Sequence, residues 1–178
     1  MSKVSLITAA AAACGLTLAA CAPTLGPPPP QGRLSGPPVF RASEFGWSQA
    51  NGRNGVAGHL AYRRGAVRYS CAGAGVVLTP ETAWSRARMA ALYGSTERAA
   101  LPTEEVRART PKAPAGDAGP YVKRATCDSA DRFSFGGLPD GAWYVITTAR
   151  PVGAPQGDSL ALMRRVVTRG GRTVSVEL

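Results

Sequence analysis

His59 is the only histidine in this chain of 178 residues, and that limits the chemistry open to it. One imidazole excludes an HExxH zinc site, a multi-histidine iron site and any relay needing two. His59 sits in Gly58-His59-Leu60-Ala61-Tyr62, at an alternating position of an expected strand, where a surface or half-buried residue is favoured over a catalyst. A hydrolase using His59 is therefore the weakest functional alternative, and no Gly-x-Ser-x-Gly elbow accompanies it. There is no P-loop, dinucleotide fingerprint or metal-spaced ligand set, so we expect no enzyme activity, no catalytic residue, no metal and no cofactor. The remaining chemistry is positive charge: Lys and Arg total 21 against 11 acidic residues, a formal net charge of +10, and nearly all of it is arginine. Arginines gather as Arg63, Arg64 and Arg68, as Arg86 and Arg88, and as Arg164, Arg165, Arg169 and Arg172; the last four are the candidate anion-binding set. A strongly positive surface attracts polyanions. The competing reading is an arginine-rich composition spread over solvent faces.

The elements that must position these side chains are short. A composition of 44% hydrophobic and 18% charged residues suits one globular domain and excludes a disordered or multi-span chain. Glycine at 21 and proline at 15 favour turns over long helices. Strands are expected at 56–63, 66–70, 75–78, 121–126, 132–135, 142–148, 160–168 and 173–178. Phe133 and Phe135 flank Ser134, and Val174 and Val176 flank Ser175, the period-two pattern of half-buried strands. Strands of this kind separated by frequent turns predict an all-β, two-sheet sandwich over 39–178. One short helix interrupts them, with Thr79 as cap, Pro80 in the first turn, an apolar face of Trp84, Ala87, Ala91 and Leu92, and Gly94 as the stop. Residues 95–119, with three prolines and charges of both signs, are expected to form a surface excursion.

The N-terminus has the parts of an export signal: Lys3 is the only charge before Arg33, and residues 4–20 are apolar or small. A short transmembrane helix is the alternative, but the run is alanine-rich, at the short limit for a bilayer, and followed by proline rather than basic residues. Leu18-Ala19-Ala20-Cys21 resembles the bacterial lipobox, a leucine and two small residues before cysteine. The resemblance implies that residues 1–20 are a lipoprotein signal peptide, that Cys21 receives a diacylglyceryl thioether, and that its freed amine is acylated. An ordinary secretory signal is the other reading. Cys14 lacks the large apolar residue three places upstream. Two or three buried acyl chains, at about 0.8 kcal/mol per methylene, anchor a protein to membrane lipid for practical purposes permanently. Ala22, where an aspartate would mark inner-membrane retention, favours an outer-membrane destination facing the periplasm. Residues 21–38 then form a linker whose four prolines, Pro27 to Pro30, favour polyproline II. It would hold the domain up to roughly 50 Å from the lipid. A proline-motif ligand is the sharper alternative.

Export bears on the remaining residues. Cys71 and Cys127 are the thiols left after processing, and an exported pair is most often a disulfide. Two buried free thiols or a reactive pair are the rival readings, although no CxxC spacing poises a redox dithiol. In an envelope the anionic partner would be phosphorylated lipopolysaccharide, acidic polysaccharide or peptidoglycan carboxylate, and not nucleic acid.

The segment from Cys127 to Val145 resembles carboxypeptidase regulatory-like domains: an aspartate turn into a strand with alternating phenylalanines, then Leu-Pro-x-Gly opening the next strand. Asp128, Phe133, Phe135, Leu138, Pro139 and Gly141 match, as does Gly75-Val76-Val77-Leu78 upstream. Asp131 stands where the turn glycine usually is, which aspartate tolerates in the left-handed region. Trp143 replaces the usual tyrosine. The resemblance implies a transthyretin-like (prealbumin-like) sandwich with Phe133, Phe135, Trp143 and Val145 in its core. It implies no function, since such sandwiches serve many roles. The expectation is a non-enzymatic envelope lipoprotein that binds or scaffolds an envelope protein or polymer, with adhesion of the arginine-rich surface to an anionic glycan or lipopolysaccharide as the alternative.

Overall fold

Eleven residues of alternating character, Gly141–Pro151, make the strand around which the chain is organised. The computed structural model describes residues 38–112, 116–154 and 158–178; the leader, Cys21 and the linker up to residue 37 lie outside the described residues. In chain order the elements are β1 (Asn54–His59), β2 (Arg63–Arg64), β3 (Val67–Ser70), β4 (Gly75–Pro80), α1 (Ala83–Tyr93), β5 (Arg98–Pro102), α2 (Thr103–Arg109), β6 (Lys123–Thr126), β7 (Arg132–Leu138), β8 (Gly141–Pro151), β9 (Leu160–Thr168) and β10 (Thr173–Glu177). Neither helix is long and apolar enough to cross a membrane.

The strands form two sheets. The larger runs β6-β4-β8-β9-β5 with antiparallel pairing throughout, and the β2–β3 hairpin continues along the far end of β8. The smaller runs β10-β1-β7, with β10 parallel and β7 antiparallel to β1. Between them lies a core that includes Val56, Val76, Leu78, Phe133, Phe135, Leu138, Trp143, Val145, Leu162 and Val176. The expected inward set is therefore buried, each large side chain contributing about 1.5–3 kcal/mol. The indole Nε1 of Trp143 donates to Thr168 Oγ1 at 3.0 Å, so its polar atom is satisfied inside the core.

Alternation along β8 and β9 also populates the outer face of the larger sheet. Tyr144, Ala161 and Met163 point away from the sandwich and are covered by Met89, Leu92 and Tyr93 of α1. This is why Trp143, Tyr144 and Val145 are all buried in succession: the central strand is covered on both faces.

At β7 the period-two pattern slips. Val56 pairs with Phe135 but Asn54 pairs with Leu138, so β7 carries one extra residue in a bulge. Gly137, at φ 68°, supplies the left-handed residue, and the bulge returns Leu138 to the core side with Phe133 and Phe135.

Two expectations are corrected. Thr79 and Pro80 do not open the helix; they end β4, paired with Tyr144 and Trp143. The Glu81 amide donates to Ala142 O, so by alternation the proline's missing N–H faces away from β8, on the side where β6 has already ended at Leu78. The helix instead starts after Thr82, in a capping box in which Ser85 N donates to Thr82 Oγ1 at 3.1 Å and Thr82 N donates to Ser85 Oγ at 2.8 Å. Its buried face is accordingly Ser85, Met89, Leu92 and Tyr93, while Trp84 and Ala87 are half-buried and Ala91 is exposed. Gly94, at φ 67°, is the stop, as expected. The second correction concerns 95–119: the segment expected as a surface excursion contains β5 and α2. Ala99 and Ala100 carry no β-branched signal, and the strand forms because its ladder with β9 completes the sheet edge.

Candidate functional site

Three strands cannot cover five. The smaller sheet lies over β9 with its β10 edge, and the inner face of β5 is left open. The result is a groove of about 450 Å³ bounded by β5 and β9 on one side, by the end of β10 on the other, and by Tyr62 and Arg63 beyond β1. Its floor is apolar: Leu162 is buried in the core and Ala100 packs against it from the neighbouring strand. Tyr62 is half-buried, held edge-on by Tyr69 at 5.6 Å between ring centroids.

Arg98 and Arg164 are direct cross-strand partners in the β5–β9 ladder. Leu162 and Val166 flank Arg164 in the core, so Arg164 shares their inner side of the sheet, and Arg98 opposite it shares that side too. Arg63 stands on the other rim; its own cross-strand partner is Arg68, whose guanidinium lies 3.5 Å from the Asp131 carboxylate. Among the described residues, Arg63, Arg98 and Arg164 form no ion pair. Glu177 also lines the groove, but Val176 beside it is buried, so the Glu177 side chain faces outward in register with His59. The arrangement offers guanidinium donors above an apolar floor with an aromatic ring to one side, suited to binding and orienting an anion-bearing ligand.

The four arginines proposed from sequence do not form one patch. Arg165 lies on the opposite face of β9 from Arg164, and its Nε donates to Glu81 Oε2 at 2.6 Å. Arg86 and the Tyr144 hydroxyl also reach the Glu81 carboxylate, which is almost wholly buried. Burial opposes the Arg165 charge, but the hydrogen bond to Glu81 and the charges of Glu81 and Glu97 outweigh it and raise its pKa above the ordinary arginine value. Arg165 thus ties α1 to the sheet. Arg169 and Arg172 are exposed at the turn from β9 to β10, around Gly170 and Gly171. Arg98 completes the groove from a segment whose small residues give no strand signal; a basic residue two places before the core-facing Ala100 is the pattern that points to it.

His59 is exposed on the outer face of the smaller sheet, in register with Arg132 and Glu177. Cys71 and Cys127 are joined in a buried disulfide with Cα atoms 5.7 Å apart. Asp131 sits beside it at φ 60°, accepting from Ser70 Oγ at 2.6 Å and from the Cys71 amide at 2.8 Å. The ligand atoms of Cys71, Cys127 and Asp131 lie within 4.8 Å of one another, but with the sulfurs bonded together the group offers a single carboxylate.

No family model matches the chain, and no curated protein matches it. Among solved structures the chain is similar to a candidate carbohydrate binding protein from Pseudomonas aeruginosa, with a TM-score of 0.57 and 19% identity, covering 79% of this chain and 97% of that one. At that identity the likeness speaks for the fold: an all-β sandwich carrying short helices on one face.

Proposed function

We propose that the protein is a non-enzymatic lipoprotein of a bacterial cell envelope whose sandwich binds a saccharide polymer of that envelope. The groove carries this reading: a concavity of about 450 Å³ with an apolar floor, a tyrosine and guanidinium donors lacking acidic partners among the described residues. Ligand sites are commonly concave and largely apolar, with a few convergent polar groups. The likeness in fold to a candidate carbohydrate binding protein supports it. The lipobox-like Leu18-Ala19-Ala20-Cys21 supports attachment through acylated Cys21 and export, most simply to the periplasmic face of the outer membrane. The buried Cys71–Cys127 disulfide fits an oxidising compartment.

Attachment is tested by growth on radiolabelled palmitate: the wild type should be labelled and Cys21→Ala should not, and equal labelling of both refutes the anchor. Binding is tested by retention of the full chain on immobilised envelope polysaccharide and peptidoglycan; absence of retention on every saccharide matrix refutes the binding role.

A further inference from the structure

We infer that the groove selects an acidic sugar unit, one whose carboxylate or phosphate is gripped jointly by Arg98 and Arg164 while its ring lies against Tyr62; the inference rests on the saccharide-binding reading above. Like charges directly opposed in an antiparallel ladder destabilise the sheet. Arg98 and Arg164 are so opposed, on the same face, and neither forms an ion pair among the described residues. Some arginines do meet a carboxylate, as Arg68 meets Asp131 and Arg86 and Arg165 meet Glu81, and others such as Arg53, Arg124 and Arg150 have no ion pair among the described residues, so Arg98 and Arg164 are set apart by their direct opposition on one concave face. The uncompensated pair sits where the protein is concave and its floor is apolar, a setting in which low-dielectric walls strengthen the field felt by an incoming anion. Guanidinium forks match the geometry of a carboxylate or phosphate better than a neutral hydroxyl. Arg63 on the opposite rim adds a third donor from across the groove, and Glu177, which also lines it, follows the core-facing Val176 at the end of its strand. A sugar acid uses all of these features together: two guanidinium groups for the anion, an aromatic edge and an apolar floor for the ring.

The test is calorimetric titration of the full chain in detergent with three probes: an oligogalacturonate of three residues, its methyl ester, and a diglucosamine bearing two phosphates. Binding of either acidic probe, with the methyl ester at least about tenfold weaker, is the expected result. Arg98→Gln and Arg164→Gln should each weaken the acidic probe by about tenfold or more, while Arg169→Gln leaves it unchanged. The carboxylate and phosphate probes separate a uronic-acid polymer from a phosphorylated glycolipid as the source. Methyl ester bound as tightly as acid would overturn the acidic selectivity and leave saccharide binding standing. Binding of acid that ignores both substitutions would place the anion elsewhere and overturn the assignment to this groove. No binding of any probe, together with no retention on envelope saccharide, would remove both readings.

Discussion

Asp131 is the residue on which two parts of the fold depend. It occupies left-handed backbone at φ 60°, and its carboxylate accepts the Ser70 hydroxyl and the buried Cys71 amide. Glycine would hold the backbone more easily but would leave that amide without a partner. Asp131→Ala is expected to lower stability by about 2–4 kcal/mol, combining an orphaned amide with backbone strain. Asp131→Gly should cost less, since only the acceptor is lost. Urea denaturation measures both, and equal losses would show that the backbone conformation contributes nothing. The tolerance of aspartate in this turn was legible in the sequence; the reason for preferring it over glycine was not, because Ser70 and Cys71 are 61 and 60 residues away. The arginines show the same limit. Arg164 and Arg165 are adjacent in the chain, yet alternation sends one to the groove and the other to Glu81. Arg98 and Arg164 meet only because two distant strands pair in one register.

At the scale of elements, pattern was legible where residues were large and obscured where they were small. Phe133, Phe135, Trp143 and Val145 announced their strands and are in the core. Alanines hid β5, and with it half of the arginine pair that defines the groove. Thr79 and Pro80 satisfy helix-start rules as well as strand ones, and only the ladder to β8 assigns them to a strand and moves the start of α1 to Thr82. Packing of α1 also makes a prediction. The Tyr144 phenol has its pKa pushed up to about 12, first by burial under the helix and then by the negative charge of Glu81. An unfolded tyrosine titrates near 10, so the folded state holds this proton more tightly. The resulting stability is complete below about pH 10 and is lost as pH rises from there through about 12. Denaturant unfolding across that window should show a shallower decline for Tyr144→Phe than for the wild type, and parallel declines would contradict the shift.

For the whole molecule, the disulfide joins positions 56 residues apart and so restricts much of the unfolded chain. Loop-closure entropy assigns such a bond about 4 kcal/mol, and the double variant Cys71→Ser, Cys127→Ser should lose most of that in urea while the wild type without reductant runs two hydrogens light by mass. Full alkylation of both thiols in the untreated protein would contradict the bond. The sandwich architecture was legible from alternation and turns, whereas the mismatch in sheet width was not, since it depends on which strands cross between layers. That layout has a mechanical consequence. Phe40 and Phe45 wedge the incoming chain against Trp84 and Tyr121, on the flank where β6 begins, while the groove opens at β5, the other flank of the same sheet. The chain thus enters the domain and binds its ligand on opposite flanks of one sheet, and a pull on residue 38 is first taken up by this aromatic cluster. The Cys71–Cys127 bond fastens the other end of β6 to the turn before β4, so that edge strand is held at both of its ends.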